Sequence, residues 1–336
     1  MNQTSCHSPA PPTGKARLRV LVIGTGAVGG YYGAKLAQTE CEVAMVCRSD
    51  YHEVARHGLQ VESIHGDFRV QPSLVLRNAR DYPGIPDVVL ITVKALPDLD
   101  PRELLSCTLG AESVILLLQN GIGVEEPWLQ AFPQQPLISG LAFICAQKVG
   151  PGRVRHLCYG RLTLGQYPRG RSARLDELVA LFQSAGVVCN ASEEILRDRW
   201  RKLVWNVAFN PISVLGGGLD TRRIMADAAL RELAGSLMEE VRILAEAEGF
   251  PLPAEVVAVN LAETEKMLPY ETSMLLDYRQ GRPMEWQAIL ERPLRQARRR
   301  GLTLPRMETL LALLQALENA RPAGDQVRSQ EKMTSA

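Results

Sequence analysis

Hydrophobic residues come in short unbroken runs along the first half of the chain and in spaced stripes along the second. Arg19 to Ile23, Glu42 to Cys47, Val88 to Val93 and Val114 to Leu118 are Val/Ile/Leu-rich. Their length and lack of alternation predict strands covered on both faces. Ala27 to Gln38 reads as a helix between the first two runs, and the succession predicts parallel βαβ units in a doubly wound sheet. Arg153 to Leu157 and Arg161 to Leu164 read as a hairpin turning at Cys158, Tyr159 and Gly160, with Val187 to Cys189 as a last short strand.

Past Ser192 the β-branched runs disappear and helical periodicity continues to Leu317. Trp200, Leu203, Val204, Val207 and Ala208 fall on one helical face, and Leu230 to Ala247 and Ala254 to Met267 carry similar stripes. Gly216 to Gly218 break the first of these helices, and Pro269, Pro283 and Pro293 mark later stops or kinks. The expected fold class is therefore α/β: a doubly wound sheet over 17–192, then an all-helical substrate domain over 193–320. Residues 1–16, rich in Ser, Pro and Thr, and the polar stretch 321–336 are expected to be disordered tails.

Charge narrows the partners. Lys plus Arg number 38 against 37 Asp plus Glu, so no net field attracts a nucleic acid or an anionic membrane, and neither is expected as a partner. Val114 to Leu118 falls far short of the roughly 20 apolar residues that cross a bilayer, and the amino terminus has no secretory apolar segment. The seven cysteines (Cys6, Cys41, Cys47, Cys107, Cys145, Cys158 and Cys189) contain no Cys-x-x-Cys pair. They predict neither a disulfide framework nor a metal site, but small buried hydrophobes in a reducing cytoplasm. The oligomeric state is open, a homodimer through the apolar helices being one arrangement.

Gly24-Thr25-Gly26-Ala27-Val28-Gly29 follows the first strand directly and opens a helix. This is the setting in which a Gly-x-Gly-x-x-Gly turn of a Rossmann-type sheet holds a dinucleotide pyrophosphate at a helix N-terminus. At the end of the second strand, where an acid would take a ribose hydroxyl, stands Arg48. An arginine there suits the 2′-phosphate of NADP(H). The alternative is a solvated Arg48, with Asp50 on the ribose.

Lys202, Asn206 and Asn210 repeat at i, i+4 and i+8 among Trp205, Val207 and Phe209. Asparagine is a poor helix-interior residue, so this stripe predicts the polar lining of a cleft. By spacing alone, Glu285 reads as a first-turn acid and Ser273 as a capping hydroxyl.

Taken together, these residues resemble the ketopantoate reductase (2-dehydropantoate 2-reductase) family from Arg17 to about Leu317. The resemblance rests on the glycine turn, on Ile91-Thr92-Val93-Lys94-Ala95, on Gln119-Asn120-Gly121-Ile122-Gly123, and on Trp200-Arg201-Lys202-Leu203 with Asn206, Asn210 and Pro211. Ser273-Met274-Leu275-Leu276-Asp277 and Glu285 complete it. It implies NADPH-dependent reduction of a 2-keto acid to a hydroxy acid on the route to pantothenate and coenzyme A. Lys202 would be the general acid and Glu285 would hold it. Asn206, Ser273 and Asn120 would bind substrate, supported by Asn210. The glycine turn, Arg48, Lys94 and Asn120 would face the cofactor. After Glu285 the family commonly has an acid two positions on and then an Asn-Gly pair, whereas this chain has Gln287 and Leu290-Glu291-Arg292. Another small keto acid is the alternative substrate, with Arg282, Glu291 and Arg292 as candidates to select it. A non-catalytic NADP-binding regulator is a third reading.

Overall fold

The computed structural model describes residues 17–320; both expected tails lie outside the described residues. The chain opens with β1 (Arg19–Ile23), α1 (Ala27–Ala37), β2 (Glu42–Val46) and α2 (Tyr51–His57), then three short strands, β3 (Leu59–Ser63), β4 (Phe68–Val70) and β5 (Leu74–Leu76). Next come β6 (Val88–Ile91), α3 (Pro101–Leu104), β7 (Val114–Leu117) and α4 (Glu126–Ala131). Two long strands, β8 (Leu137–Gly150) and β9 (Arg153–Gln166), lead to α5 (Ala173–Ser184) and β10 (Cys189–Ser192). All join one mixed sheet in the order β4-β3-β9-β8-β7-β6-β1-β2-β5, with β10 beside β9.

From β8 through β7, β6, β1 and β2 to β5, each adjacent pair of strands runs parallel, whereas β8 and β9 are antiparallel. Along β1 the side chains alternate between two cores: Val20 and Val22 pack beneath Tyr32 and Leu36 of α1 and Phe182 of α5. Leu21 and Ile23 pack on the other face with Trp128 of α4. Both faces are thus covered, which is why β1, β2, β6 and β7 are apolar at every buried position.

The expected hairpin at Cys158 to Gly160 is corrected. β9 continues through those residues, paired with β8, and the reversal falls between the two strands at Pro151 and Gly152, where Gly152 has φ +61°. Tyr159 (φ 63°) and Gly160 (φ 105°) do adopt turn-like conformations, but a register slip absorbs them as a bulge within the pair. β8 itself went unread because Ser139, Gln147 and Lys148 interrupt its apolar run. β3, β4, β5 and α2 were also missed, being too short for any period to register.

The helical half follows. α6 (Ile195–Leu215) carries Pro211 inside it and stops at Gly216. α7 (Thr221–Ala226), α8 (Ala228–Ala247), α9 (Val256–Lys266) and α10 (Ser273–Arg279) lead to a π-helical turn over Gln287–Glu291. It runs straight into α11 (Arg292–Arg299), so Pro293 begins a helix instead of ending one, and α12 (Pro305–Asn319) closes the half. Leu203, Val207 and Phe209 of α6, Leu237 and Val241 of α8, Leu290 and Leu314 share one core. Among the described residues, no helix is long and apolar enough to cross a membrane, and no cluster of His, Cys, Asp and Glu suits a metal ion.

Candidate active site

The three glycines of the turn do different work. At Gly24 (φ +100°) a Cβ would lie 2.7 Å from Val93 N, and at Gly29 it would lie 2.2 Å from both Gly24 O and Thr92 Oγ1. Those two positions bind the turn to β6. At Gly26 a Cβ would meet nothing within 4 Å, and no side chain caps α1. The open space fronts the uncapped amides of Ala27 and Val28, the cradle a pyrophosphate needs. Thr25 Oγ1 donates to Val46 O and lies 3.2 Å from Cys47 Sγ, tying the turn to the end of β2. The residues present fit a nicotinamide dinucleotide.

Arg48 stands exposed just beyond β2. Its neighbour Asp50 is buried and committed: its carboxylate accepts from Lys148 Nζ at 2.5 Å and from Gly152 N at 2.9 Å. Beside them a cavity of about 540 Å³ is lined by Ser49, Asp50, Lys148, Gln280 and Arg282 among others. Arg282 therefore lines this cavity near the end of β2, and Asp277 accepts from it at 2.9 Å.

Lys94, just after β6, reaches across to the helical half, donating to Pro283 O at 2.8 Å and pairing with Asp277 at 2.7 Å. That network brackets Glu285. One carboxylate oxygen of Glu285 accepts from Ala95 N at 3.1 Å, the other from Asn120 Nδ2 at 3.4 Å. Burial raises the Glu285 pKa, with the Lys94 charge the main opposing influence.

Asn120 also turns its oxygen to Lys202, whose Nζ donates to Asn120 Oδ1 at 2.9 Å and to Ala142 O at 2.8 Å. The ammonium stands 5.3 Å from the centre of the Phe143 ring. Burial first, and then the Arg199 guanidinium, bring the Lys202 pKa down from 10.5 to about 7, against an opposing pull from Glu285. The carboxylate thus reaches the lysine through the Asn120 amide.

Asn206 and Asn210 continue the Lys202 stripe and are buried, and Asn210 Oδ1 has no hydrogen-bond partner. α10 is joined to α6 by a 2.6 Å hydrogen bond between Ser213 and Thr272. Thr272, not Ser273, caps α10, which leaves the Ser273 hydroxyl exposed.

Sequence reasoning missed Arg199. It is 2% exposed, ion-paired with Glu125, and donates to Ser139 Oγ at 2.8 Å and to the carbonyls of Gln119 (2.8 Å) and Gly121 (3.2 Å). Its position was legible, because residues 199, 202, 206 and 210 lie on one helical stripe. On the other side of the 119–123 loop, Ile122 N donates to Ala288 O at 3.1 Å and Arg292 Nη1 to Gly123 O at 2.7 Å. Gly121 (φ +97°) admits no side chain, since a Cβ would lie 2.5 Å from Ala288 O.

Two family models, described as "Ketopantoate reductase PanE/ApbA" and "Ketopantoate reductase PanE/ApbA C terminal", match residues 20–169 and 194–318. The chain belongs to the ketopantoate reductase family. Within that family it is 38% identical to a 2-dehydropantoate 2-reductase of Nostoc sp. over 308 residues, 90% of this chain and 96% of the relative. A crystal structure of 2-dehydropantoate 2-reductase from Methylococcus capsulatus superposes with a TM-score of 0.85 at 42% identity, covering 91% of this chain and 99% of that one. Another, from Geobacter metallireducens GS-15, gives 0.85 at 36% identity, covering 89% and 100%. Ketopantoate reductases are thus similar to this chain over both halves.

Proposed function

We propose that this protein reduces 2-dehydropantoate to pantoate with NADPH, on the route to pantothenate. The observation that carries the reading is the Lys202–Asn120–Glu285 chain of hydrogen bonds at the seam between the glycine-turn sheet and the helices. A reduced nicotinamide, when bound, supplies the hydride. Lys202 polarises the keto oxygen and gives up the Nζ proton to the alkoxide. Its lowered pKa makes that transfer easy near neutrality. Asn120 orients the lysine, and Glu285 fixes which way the Asn120 amide faces. The stripe of Asn206 and Asn210, with the uncapped Ser273 hydroxyl, supplies hydrogen-bonding groups for the hydroxy acid.

NADPH is favoured over NADH because Arg48 stands exposed just past β2, while the nearby acid Asp50 is engaged by Lys148 and Gly152. In the segment after Glu285, the departures at Leu290, Glu291 and Arg292 serve packing, while the buried Gln287 Oε1 has no hydrogen-bond partner. Leu290 is fully buried in the helical core, Arg292 holds Gly123 O, and Glu291 pairs with Arg295 at 3.3 Å.

A panel of 2-keto acids, assayed with NADPH and with NADH by loss of reduced-nicotinamide absorbance, tests substrate and cofactor together. Ketopantoate with NADPH should give the highest kcat/KM. Preference for another keto acid would overturn the substrate, and equal use of NADH the cofactor.

A further inference from the structure

In the β8–β9 pair, Cys145 stands directly opposite Cys158, with register slips close on either side. Opposed residues of an antiparallel pair have Cα atoms about 4.5 or 5.5 Å apart, depending on the type of pair. Both separations fall within the roughly 4.4–6.8 Å that a disulfide spans. Each thiol is the first influence on the titration of the other, and Tyr270 also bears on Cys145. Both cysteines are free, and neither serves the proposed reduction.

Their surroundings differ in a way that assigns roles. Cys145 is buried, whereas Cys158 is partly open to solvent beside the Tyr159 bulge. Hydrogen bonding from Cys145 lowers the Cys158 pKa, while that contact and burial raise the Cys145 pKa. An accessible thiolate beside a protonated second thiol is the arrangement of an attacking and a resolving cysteine.

We propose that Cys145 and Cys158 form a redox-active dithiol, which a hydroperoxide converts into an intramolecular disulfide. The Cys158 thiolate attacks one peroxide oxygen, the O–O bond breaks, and Cys158 becomes a sulfenic acid as the other oxygen leaves as water after protonation. The Cys145 sulfur then attacks the sulfenic sulfur. The S–S bond forms, the S–O bond breaks, and the Cys145 proton leaves with the hydroxyl as a second water. Two thiols lose two electrons and two protons, and one hydrogen peroxide is reduced to two waters. The same strand carries the Ala142 carbonyl that accepts from Lys202, so the new bond lies three residues along β8 from the lysine's anchor.

The chemistry is independent of the proposed ketone reduction, so the test reads thiols and mass. The full-length chain carrying Cys6→Ser is treated with hydrogen peroxide, unfolded, alkylated and mapped by mass spectrometry. Expected are a loss of about 2 Da, protection of Cys145 and Cys158 from alkylation, a Cys145–Cys158 cross-linked peptide, and reversal by dithiothreitol. Cys145→Ser should stop at a Cys158 sulfenic acid that dimedone traps. Cys158→Ser, at the more exposed position, should leave Cys145 fully alkylatable and serves if the first variant does not fold. The proposal fails if both thiols stay alkylatable, if Cys158 oxidises to the sulfinic acid without a cross-link, or if the cross-link maps elsewhere.

Discussion

Lys202 Nζ donates to Asn120 Oδ1 at 2.9 Å, so a helix of the second half and a loop of the sheet meet on a single proton. Removing the acceptor with Asn120→Ala should lower kcat about ten- to hundredfold, the effect of losing a hydrogen bond to a charged group. Lys202→Ala should lose about 10²–10⁴ in kcat, with NADPH binding by fluorescence kept. A wild-type kcat in Lys202→Ala would remove the proton-donor assignment.

The pH profile follows from the same lysine. A lowered pKa means that the ammonium needed for ketone reduction is present below about pH 7 and lost above it. For the reductive direction, kcat/KM should be flat on the acid side of that value and fall on the alkaline side. Hydroxy-acid oxidation, which needs the neutral amine, should rise across the same range. Asn120→Asp puts a carboxylate against Nζ and favours the charged form, so the reductive limb should move up by about 1–3 pH units. A limb that stays put in this variant would mean that another group titrates.

Cofactor choice is tested at Arg48. Loss of a charge-assisted contact is worth about 1.5–3 kcal/mol, so Arg48→Ala should raise KM for NADPH roughly ten- to hundredfold and leave KM for NADH nearly unchanged. Equal effects on the two would leave the arginine no part in selecting the phosphate.

Much of this arrangement is legible in the sequence, and the reasons are local. The glycine turn declares itself because Gly24 and Gly29 have no room for a side chain, and the polar stripe because Lys202, Asn206 and Asn210 interrupt an apolar helix. Arg199 escaped notice because its value comes from Glu125, 74 positions earlier by their numbers, and no local period records such a partner. The Cys158 region misled for the opposite reason. Its residues have turn conformations, but pairing with an unrecognised strand overrides them.

Arg199 should matter for the fold as a whole. Arg199→Ala leaves Glu125 buried without its cation, at a cost of about 3–5 kcal/mol. At about 2–4 °C per kcal/mol for a chain of a few hundred residues, Tm should fall by roughly 10 °C. Adding Glu125→Gln to that variant removes the stranded charge and should recover part of the loss in a thermal melt. A single variant with wild-type Tm would show that the pair is not needed.

Two glycines separate folding from binding. Gly29→Ala drives a methyl into Gly24 O and Thr92 Oγ1 and should lower Tm or leave the protein insoluble. Gly26→Ala meets nothing in the protein, so its melt should be unchanged, while a dinucleotide at the α1 N-terminus would meet the methyl and bind at least about tenfold more weakly. Unaltered cofactor affinity in that variant would place the pyrophosphate elsewhere.

The clasp on the 119–123 loop bears on how such a protein can be re-engineered. By sequence the loop belongs to the sheet, yet Arg199, Ala288 and Arg292 of the helices hold it from both sides. A chimera joined between Ser192 and Ile195 would inherit a loop cut to fit a helical partner it no longer has. Transplanting either half therefore means carrying over both sides of the joint, and a new ketone specificity is more safely sought by changing residues within the intact pair than by exchanging one half for another.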